Sequence, residues 1–451
     1  IKKGYFFSSQ SDSEVVLNSL IEWGKSAIKK FNGMFAFVLW DNEKKEFLIA
    51  RDRYGIKPLY YSIQRNTFSF ASEQKSILKL NNFNRKIEHQ AFVEYLTFQN
   101  IFSNITFFKD IYLLQPGYFG VFSEKNKSLN LFKYWDYLFK SENKINQNEY
   151  EDQLNFYFKQ AVERQLVSDV EVGSYLSGGI DSGSITSIAS KIYPNLKTFT
   201  CGFDLTSVSN LELGFDERKK AKQISTFLNT EHNEMILSYG DMEKCLKRLA
   251  WHIEEPRVGQ SYPNYYIAQL ASKFVKVILS GTGGDELFAG YPWRYYKSSN
   301  SQDFETFIDS YYLYWQRLID NKDIKQLLSP IKDDVKDVWT RDIFRDVFLQ
   351  HEITLDSPTD YINHSLYFEA KTFLHGLLVI EDKISMSFGL ENRVPFLDND
   401  LVDFAMSCPL SLKLNNLEDN FRIDENFVGN KSKKYFEKTN DGKQILRKAL
   451  S

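Results

Sequence analysis

Ser177-Gly178-Gly179-Ile180-Asp181-Ser182 follows an apolar segment, residues 170–176, and opens a helix-compatible stretch at residues 183–190. A Gly-rich turn between a buried strand and a helix start aims several backbone N–H groups at one point, where the helix dipole also favours negative charge. That geometry is a pyrophosphate cradle. A Walker-type loop needs Gly-Lys-Ser/Thr at the helix start, so that the lysine reaches the terminal phosphates, and no such tripeptide follows here. An ordinary strand-to-helix turn would use Ser and Gly for backbone geometry alone; the full six-residue spelling argues against that. Working outward, a second Gly-rich turn, Ser280-Gly281-Thr282-Gly283-Gly284-Asp285-Glu286-Leu287-Phe288-Ala289-Gly290-Tyr291, follows the apolar run 275–279, which again reads as a buried strand.

The organisation changes near Trp135. Before it, short β-rich runs occupy residues 34–40, 46–50, 59–62, 67–71 and 117–122, with hairpin residues such as Asp41-Asn42 and Gln64-Arg65-Asn66 between them. Layered antiparallel sheets with a few helices are expected there. From about residue 145, strand-like runs at 171–176, 197–203, 231–237 and 276–279 alternate with helical patterns, including 217–228 with Ala221, Ile224 and Phe227 on one face. Strands separated by helices imply βαβ units and a parallel sheet, with the ligand at the carboxyl ends of the strands. Both glycine turns fall at such ends. Beyond Trp293 the pattern is mainly helical, and no internal repeat is evident.

Composition sets bounds. With 451 residues, 43% hydrophobic and 25% charged, the chain is long enough for two cores, and a net charge of −3 gives no electrostatic case for nucleic acid. No apolar run reaches the length of a membrane span, so no membrane partner is expected. The three cysteines, Cys201, Cys245 and Cys408, are odd in number and widely spaced, which suggests neither a disulfide framework nor a CxxC metal site; a reducing cytoplasm fits best. The six histidines lack metal spacing, and His232 and His252 read as ordinary polar or packing residues.

The spelling SGGxDS is similar to the PP-loop of ATP pyrophosphatases. Further segments extend the likeness: Arg393-Val394-Pro395-Phe396-Leu397-Asp398 after Asp382-Lys383-Ile384-Ser385-Met386, and upstream Phe31-Asn32-Gly33-Met34-Phe35-Ala36-Phe37, Arg51-Asp52-Arg53-Tyr54-Gly55-Ile56-Lys57-Pro58-Leu59-Tyr60-Tyr61 and Phe70-Ala71-Ser72-Glu73. Together they resemble the glutamine-hydrolysing asparagine synthetases of the B type, over nearly the whole chain and in the family's order. The resemblance implies an α+β N-terminal nucleophile glutaminase domain with layered antiparallel sheets at residues 1–135. It implies an α/β PP-loop domain, a parallel sheet flanked by helices, at 136–451. The implied activity is ATP-dependent amidation of aspartate through an acyl-adenylate, with ATP and Mg²⁺, ammonia from glutamine, and a homodimer as the assembly.

Site residues follow by the same resemblance. Ser177, Gly178, Gly179 and Ser182 would hold pyrophosphate. Asp181 and Asp285 would share magnesium, a hard cation that takes carboxylate and phosphate oxygens. Leu176 and Cys201 would flank adenine, and Ser280 and Gly281 would lie along the nucleotide. Glu286 and Lys383 are candidate catalytic residues, although these two and Asp382 read equally as members of structural ion pairs. Arg393 and Asp398 read as a salt bridge fixing a turn. Asp216 and Glu217 are expected to serve the start of the helix that follows them. Asp12 would bind the glutamine α-ammonium.

Four departures from the family pattern stand out. Residue 1 is Ile where the family's nucleophilic Cys begins the glutaminase half, and the family's Asn-Gly-Glu segment is absent. The lysine that neutralises pyrophosphate follows the segment matching residues 444–450, where this chain stops; both ends read as cut. Thr282 replaces an acidic residue that many asparagine synthetases carry, and a hydroxyl at its ordinary pKa is no general base. Glu286, a water or a different acceptor would then be needed. Three readings therefore stay open: aspartate amidation, the same adenylation on a sugar uronate or a β-lactam precursor, and an inactive paralogue acting as a binding subunit.

Overall fold

The computed structural model describes residues 4–81, 83–140, 146–204, 216–258, 261–295, 301, 303–351, 355–415 and 441–450. After helix α1 (Asp12–Trp23) come the strands β1 (Ala36–Asp41), β2 (Glu46–Arg51), β3 (Tyr60–Gln64), β4 (Thr67–Ala71), β5 (Tyr112–Leu113), β6 (Tyr118–Ser123) and β7 (Ser128–Lys133). They form two antiparallel sheets, ordered β1-β2-β6-β7 and β4-β3-β5. The β3–β4 turn holds Arg65 and Asn66 at φ 49° and 64°, the left-handed pair that a two-residue hairpin requires. Ile49, Leu59, Tyr61 and Leu114 fill the space between the sheets. α1 covers the outer face of the larger one through Leu20, joined by Ala27 and Ile28. Alternation along each strand thus yields two buried layers, as period-two patterning dictates.

The rest of the described chain surrounds one parallel sheet. Helix α2 (Gln147–Leu166) leads into β8 (Val172–Tyr175), α3 (Ile180–Ile192), β9 (Lys197–Phe203), α4 (Arg218–Leu228), β10 (Glu231–Leu237), α5 (Asp241–Ile253), α6 (Ser261–Ala271) and β11 (Val277–Leu279). Later come α7 (His375–Met386), β12 (Glu391–Arg393) and α8 (Gln444–Ala449). The sheet order is β10-β9-β8-β11-β12, every pair parallel. Between β11 and α7 lies a mostly helical segment whose aromatic side chains, Phe307, Tyr311, Trp315, Phe344 and Phe368, are buried in the main core.

Polar bonds join the two halves along a seam. Asn32 donates to Asp398 at 3.0 Å and accepts from the Asn399 amide, Tyr54 donates to Asn399, and Lys57 pairs with Asp382 at 2.8 Å. The motifs beginning at Phe31 and Arg51 therefore meet those around Asp382 and Asp398. Arg393 and Asp398 do not bridge each other as expected. Arg393 bonds Glu391 and the Gln165 and Val167 carbonyls, while Asp398 takes Arg164 and Asn32, because β12 and the turn after it face different neighbours.

Candidate active site

β8 and β11 are neighbours, yet the chain leaves β8 toward β9 on one side and β11 toward β12 on the other. The crevice beyond such a reversal is where open α/β sheets hold ligands. A cavity of about 580 Å³ opens there. The first turn contributes Leu176, Ser177, Gly179, Asp181 and Ser182 to its wall, the second Ser280, Gly281, Thr282, Asp285 and Glu286, and β9 adds Cys201. Gly178 lies against Lys220, whose Cβ a side chain at 178 would meet at 2.7 Å.

Local geometry follows from residue type. Gly179 caps α3 without a side-chain oxygen, so the first-turn N–H groups have no capping partner from it. Ser177 and Ser182 brace the loop instead. Ser182 Oγ accepts from the Ser177 amide at 2.9 Å and lies 2.9 Å from Ser177 Oγ, which accepts from the Gly179 amide at 3.1 Å. Burial pushes the Cys201 thiol up to about 12, which makes it a neutral wall residue at physiological pH.

Asp181 and Asp285 converge on a cation that the sequence did not announce. Lys443, directly before α8, places Nζ 2.5 Å from Asp181 Oδ2 and 2.6 Å from Asp285 Oδ1. Burial alone would lower the Lys443 pKa; the two carboxylates outweigh it and hold the group above its usual range, fully charged. Burial pushes Asp181 up to about 6, with Lys443 pulling it back and Asp285 adding to the rise. Glu286 is buried, accepts from the Tyr291 hydroxyl at 3.2 Å, and is pushed up to about 8 by burial and then by Asp285.

The pair fits a divalent cation. Asp181 Oδ1 is buried and has no hydrogen-bond partner among the described residues. Glycine leaves the room: a Cβ at Gly284 would lie 2.7 Å from the Asp181 carboxyl carbon, and one at Gly290 would lie 1.8 Å from Asp285 Oδ1. Two carboxylates backed by glycine, beside a helix start with uncapped amides, suit a metal-bound polyphosphate.

The asparagine synthase family matches residues 153–451, and the glutamine amidotransferase domain family matches residues 1–135. The chain belongs to the asparagine synthase family. Asparagine synthetase [glutamine-hydrolyzing] 1 of Bacillus subtilis (strain 168) is 32% identical over 92% of this chain and 68% of its own length. Asparagine synthetase [glutamine-hydrolyzing] 3 of the same organism is 28% identical, covering 91% and 67%. Amidase chry2 of Gibberella zeae is 26% identical, covering 90% and 68%. The chain thus spans about two thirds of the length of these curated relatives. It is a carbon–nitrogen ligase of the glutamine-hydrolysing asparagine synthetase type.

Not every residue singled out in this asparagine synthase chain joins the site between β8 and β11. Lys383 lies elsewhere. Its ammonium is buried in an ion pair with Glu254 at 2.6 Å, donates to the Ile253 carbonyl, and sits over the Tyr60 ring at 4.7 Å. Successive helical residues point about 100° apart, so α7 turns Glu381 into the cavity with the Gly-rich turns and Asp382 and Lys383 into a second cavity of about 980 Å³. α7 is the wall between the two. Asp12, exposed in the first turn of α1, lines the second cavity with Phe35, Lys57 and Trp251. His252 lines it as well, while His232 bonds Thr198. Asp216 accepts from the Arg218 amide and side chain at the start of α4, while Glu217, the N-cap residue, makes no side-chain cap bond.

Two site residues escaped the sequence reading. Lys443 stands one residue before a segment that was aligned by resemblance, but only the folded chain brings it to Asp181. Glu381 directly precedes the motif residues Asp382-Lys383, and a helical projection of α7 puts it on the opposite side from Lys383.

Proposed function

We propose that the chain converts aspartate to asparagine with ATP, through β-aspartyl-AMP, releasing AMP and pyrophosphate and taking ammonia from glutamine. The meeting of Asp181 and Asp285 at Lys443, at the mouth of the glycine turns, is the observation that carries this reading. The first-turn amides of α3 with Ser177 and Ser182 would grip the pyrophosphate, and Leu176 and Cys201 would bound the adenine. Asp181 and Asp285 would hold Mg²⁺, which when bound neutralises the phosphates and favours departure of pyrophosphate. Lys443, now between the two carboxylates, would add its positive charge beside the same phosphates. The aspartate carboxylate oxygen attacks the α-phosphorus, an O–P bond forms, and the α–β bridge breaks with its electrons on pyrophosphate. Positioned charge is the main requirement of such a step. Residues 1–135, in this reading, are a glutaminase of the N-terminal nucleophile class, with Asp12 at the glutamine α-ammonium.

Aspartate-dependent exchange of label between pyrophosphate and ATP, in the full-length protein, tests the proposal. The expected result is exchange that needs aspartate and Mg²⁺ and is lost in Asp181→Ala; exchange indifferent to aspartate, or surviving the substitution, contradicts it. Thr282 favours a second reading, the same adenylation on a sugar uronate or a β-lactam precursor. Exchange with those acids and none with aspartate selects it.

A further inference from the structure

Thr282 brings no carboxylate of its own to the second Gly-rich turn, yet one stands beside it. Glu381, reaching in from α7, accepts from Thr282 Oγ1, which lies 2.7 Å from Oε1 and 2.9 Å from Oε2. Asn392 of β12 donates to Glu381 Oε2 at 3.0 Å, and Ser280 Oγ lies 2.9 Å from Thr282 Oγ1. Three elements distant in sequence thus fix one carboxylate at the wall of the nucleotide cavity. Among the described residues no lysine or arginine pairs with it. Of the titratable groups on the elements packed around it, Tyr175 of β8 shares the cavity wall with it and is held above its usual pKa by burial and then by the charge of Glu381. The other carboxylates of the Gly-rich turns have partners of their own: Asp181 and Asp285 meet at Lys443, and the buried Glu286 accepts from the Tyr291 hydroxyl.

We infer that Glu381 is the catalytic proton acceptor of the amide-forming step, held by Thr282 and Asn392 against the acyl carbon. The inference rests on the acyl-adenylate reading above. Ammonia nitrogen forms a bond to the acyl carbon, and the bond from that carbon to the AMP oxygen breaks with its electron pair on AMP. The nitrogen then carries one proton too many. That proton passes to a Glu381 carboxylate oxygen, directly or through Thr282 Oγ1, and leaves to water before the next turnover; amide, AMP and one proton are the balanced products. The surroundings suit a base. Burial raises the Glu381 carboxyl, the bonds from Thr282 and Asn392 draw it part of the way back, and it settles at about 7. A base near the working pH combines a populated charged form with a useful affinity for the proton.

The sign is definite: the carboxylate is the active form, so amidation measured at constant free ammonia should rise as pH passes upward through about 7. The test compares E381Q and T282V with the parent in the full-length protein, reading both exchange and ammonium-dependent amide formation. E381Q is expected to lower amide formation by about 10²-fold or more, to lose the rise near pH 7, and to keep exchange within about threefold of the parent. T282V, which removes the hydroxyl but leaves the carboxylate, is expected to lose about tenfold in amide formation. Amide formation by E381Q at the parental rate overturns the inference. So does an equal loss of exchange and amide formation, the mark of a structural role. The acceptor is judged separately, by which acid supports exchange in the parent, so either reading can fail without the other.

Discussion

Lys443 concentrates the chemistry of the molecule in one side chain. Two carboxylates within 2.6 Å of one buried ammonium repel each other once it is gone, and removing one partner of a buried ionic cluster typically costs about 3–5 kcal/mol. Lys443→Ala should therefore unfold at lower temperature than the parent in chelated buffer. Millimolar Mg²⁺ should restore much of the loss, because a divalent cation bound there would neutralise the same two carboxylates. Thermal denaturation with and without Mg²⁺ checks this, and an equal Mg²⁺ response in the parent and the variant would argue against a shared position. The sequence alone could not have shown the contact. The glycine turns announce themselves by local spelling, but Glu381 reaches the cavity from α7 and Lys443 from the turn before α8, both far along the chain, and no local pattern encodes that convergence.

Elements were more legible than contacts. Strands β9 and β10 and hairpin strand β4 lie where alternation and β-branched or aromatic residues put them, and the parallel pairing of the larger half's sheet follows from helices interleaved with apolar runs. The missed strands have physical reasons. β7 is an edge strand with a mostly exposed, polar-rich face, β5 has two residues, and β12 hides three residues, Glu391–Arg393, inside a motif. The turn after β11 gives a prediction at this scale. Gly290 has no positive φ, so alanine suits its backbone, but the new Cβ would push aside Asp285 Oδ1. Gly290→Ala should keep the fold while lowering AMP release by about 10²-fold, the order expected for a displacement near 1 Å. Circular dichroism beside an AMP assay separates the two effects.

Across the whole molecule, the motifs of the first half act at the seam as much as in any site. Asn32, Tyr54 and Lys57 tie the antiparallel layers to Asp398, Asn399 and Asp382, and Glu254 gathers the amides of Gln74 and Lys75 with the ammonium of Lys383. By sequence Lys383 is a catalytic candidate or an ion-pair member, and its surroundings favour the second. Lys383→Met should destabilise the chain by up to about 3 kcal/mol, since it takes the nearest cation from a buried Glu254 carboxylate that keeps two amides and a more distant Lys75, with ammonium-dependent AMP release per folded molecule within a few fold of the parent. A large loss of that activity at full stability would return Lys383 to the catalytic set.

In the proposed reaction the cleft at Asp181, Asp285 and Lys443 adenylates the aspartate side chain. Aspartate labelled with heavy oxygen in its β-carboxylate, turned over with Mg-ATP and ammonium, tests it most directly when the AMP is weighed by mass spectrometry. One label is expected in the phosphate of AMP, carried there as the acyl–oxygen bond breaks. Unlabelled AMP, or label in inorganic phosphate beside ADP, would contradict it.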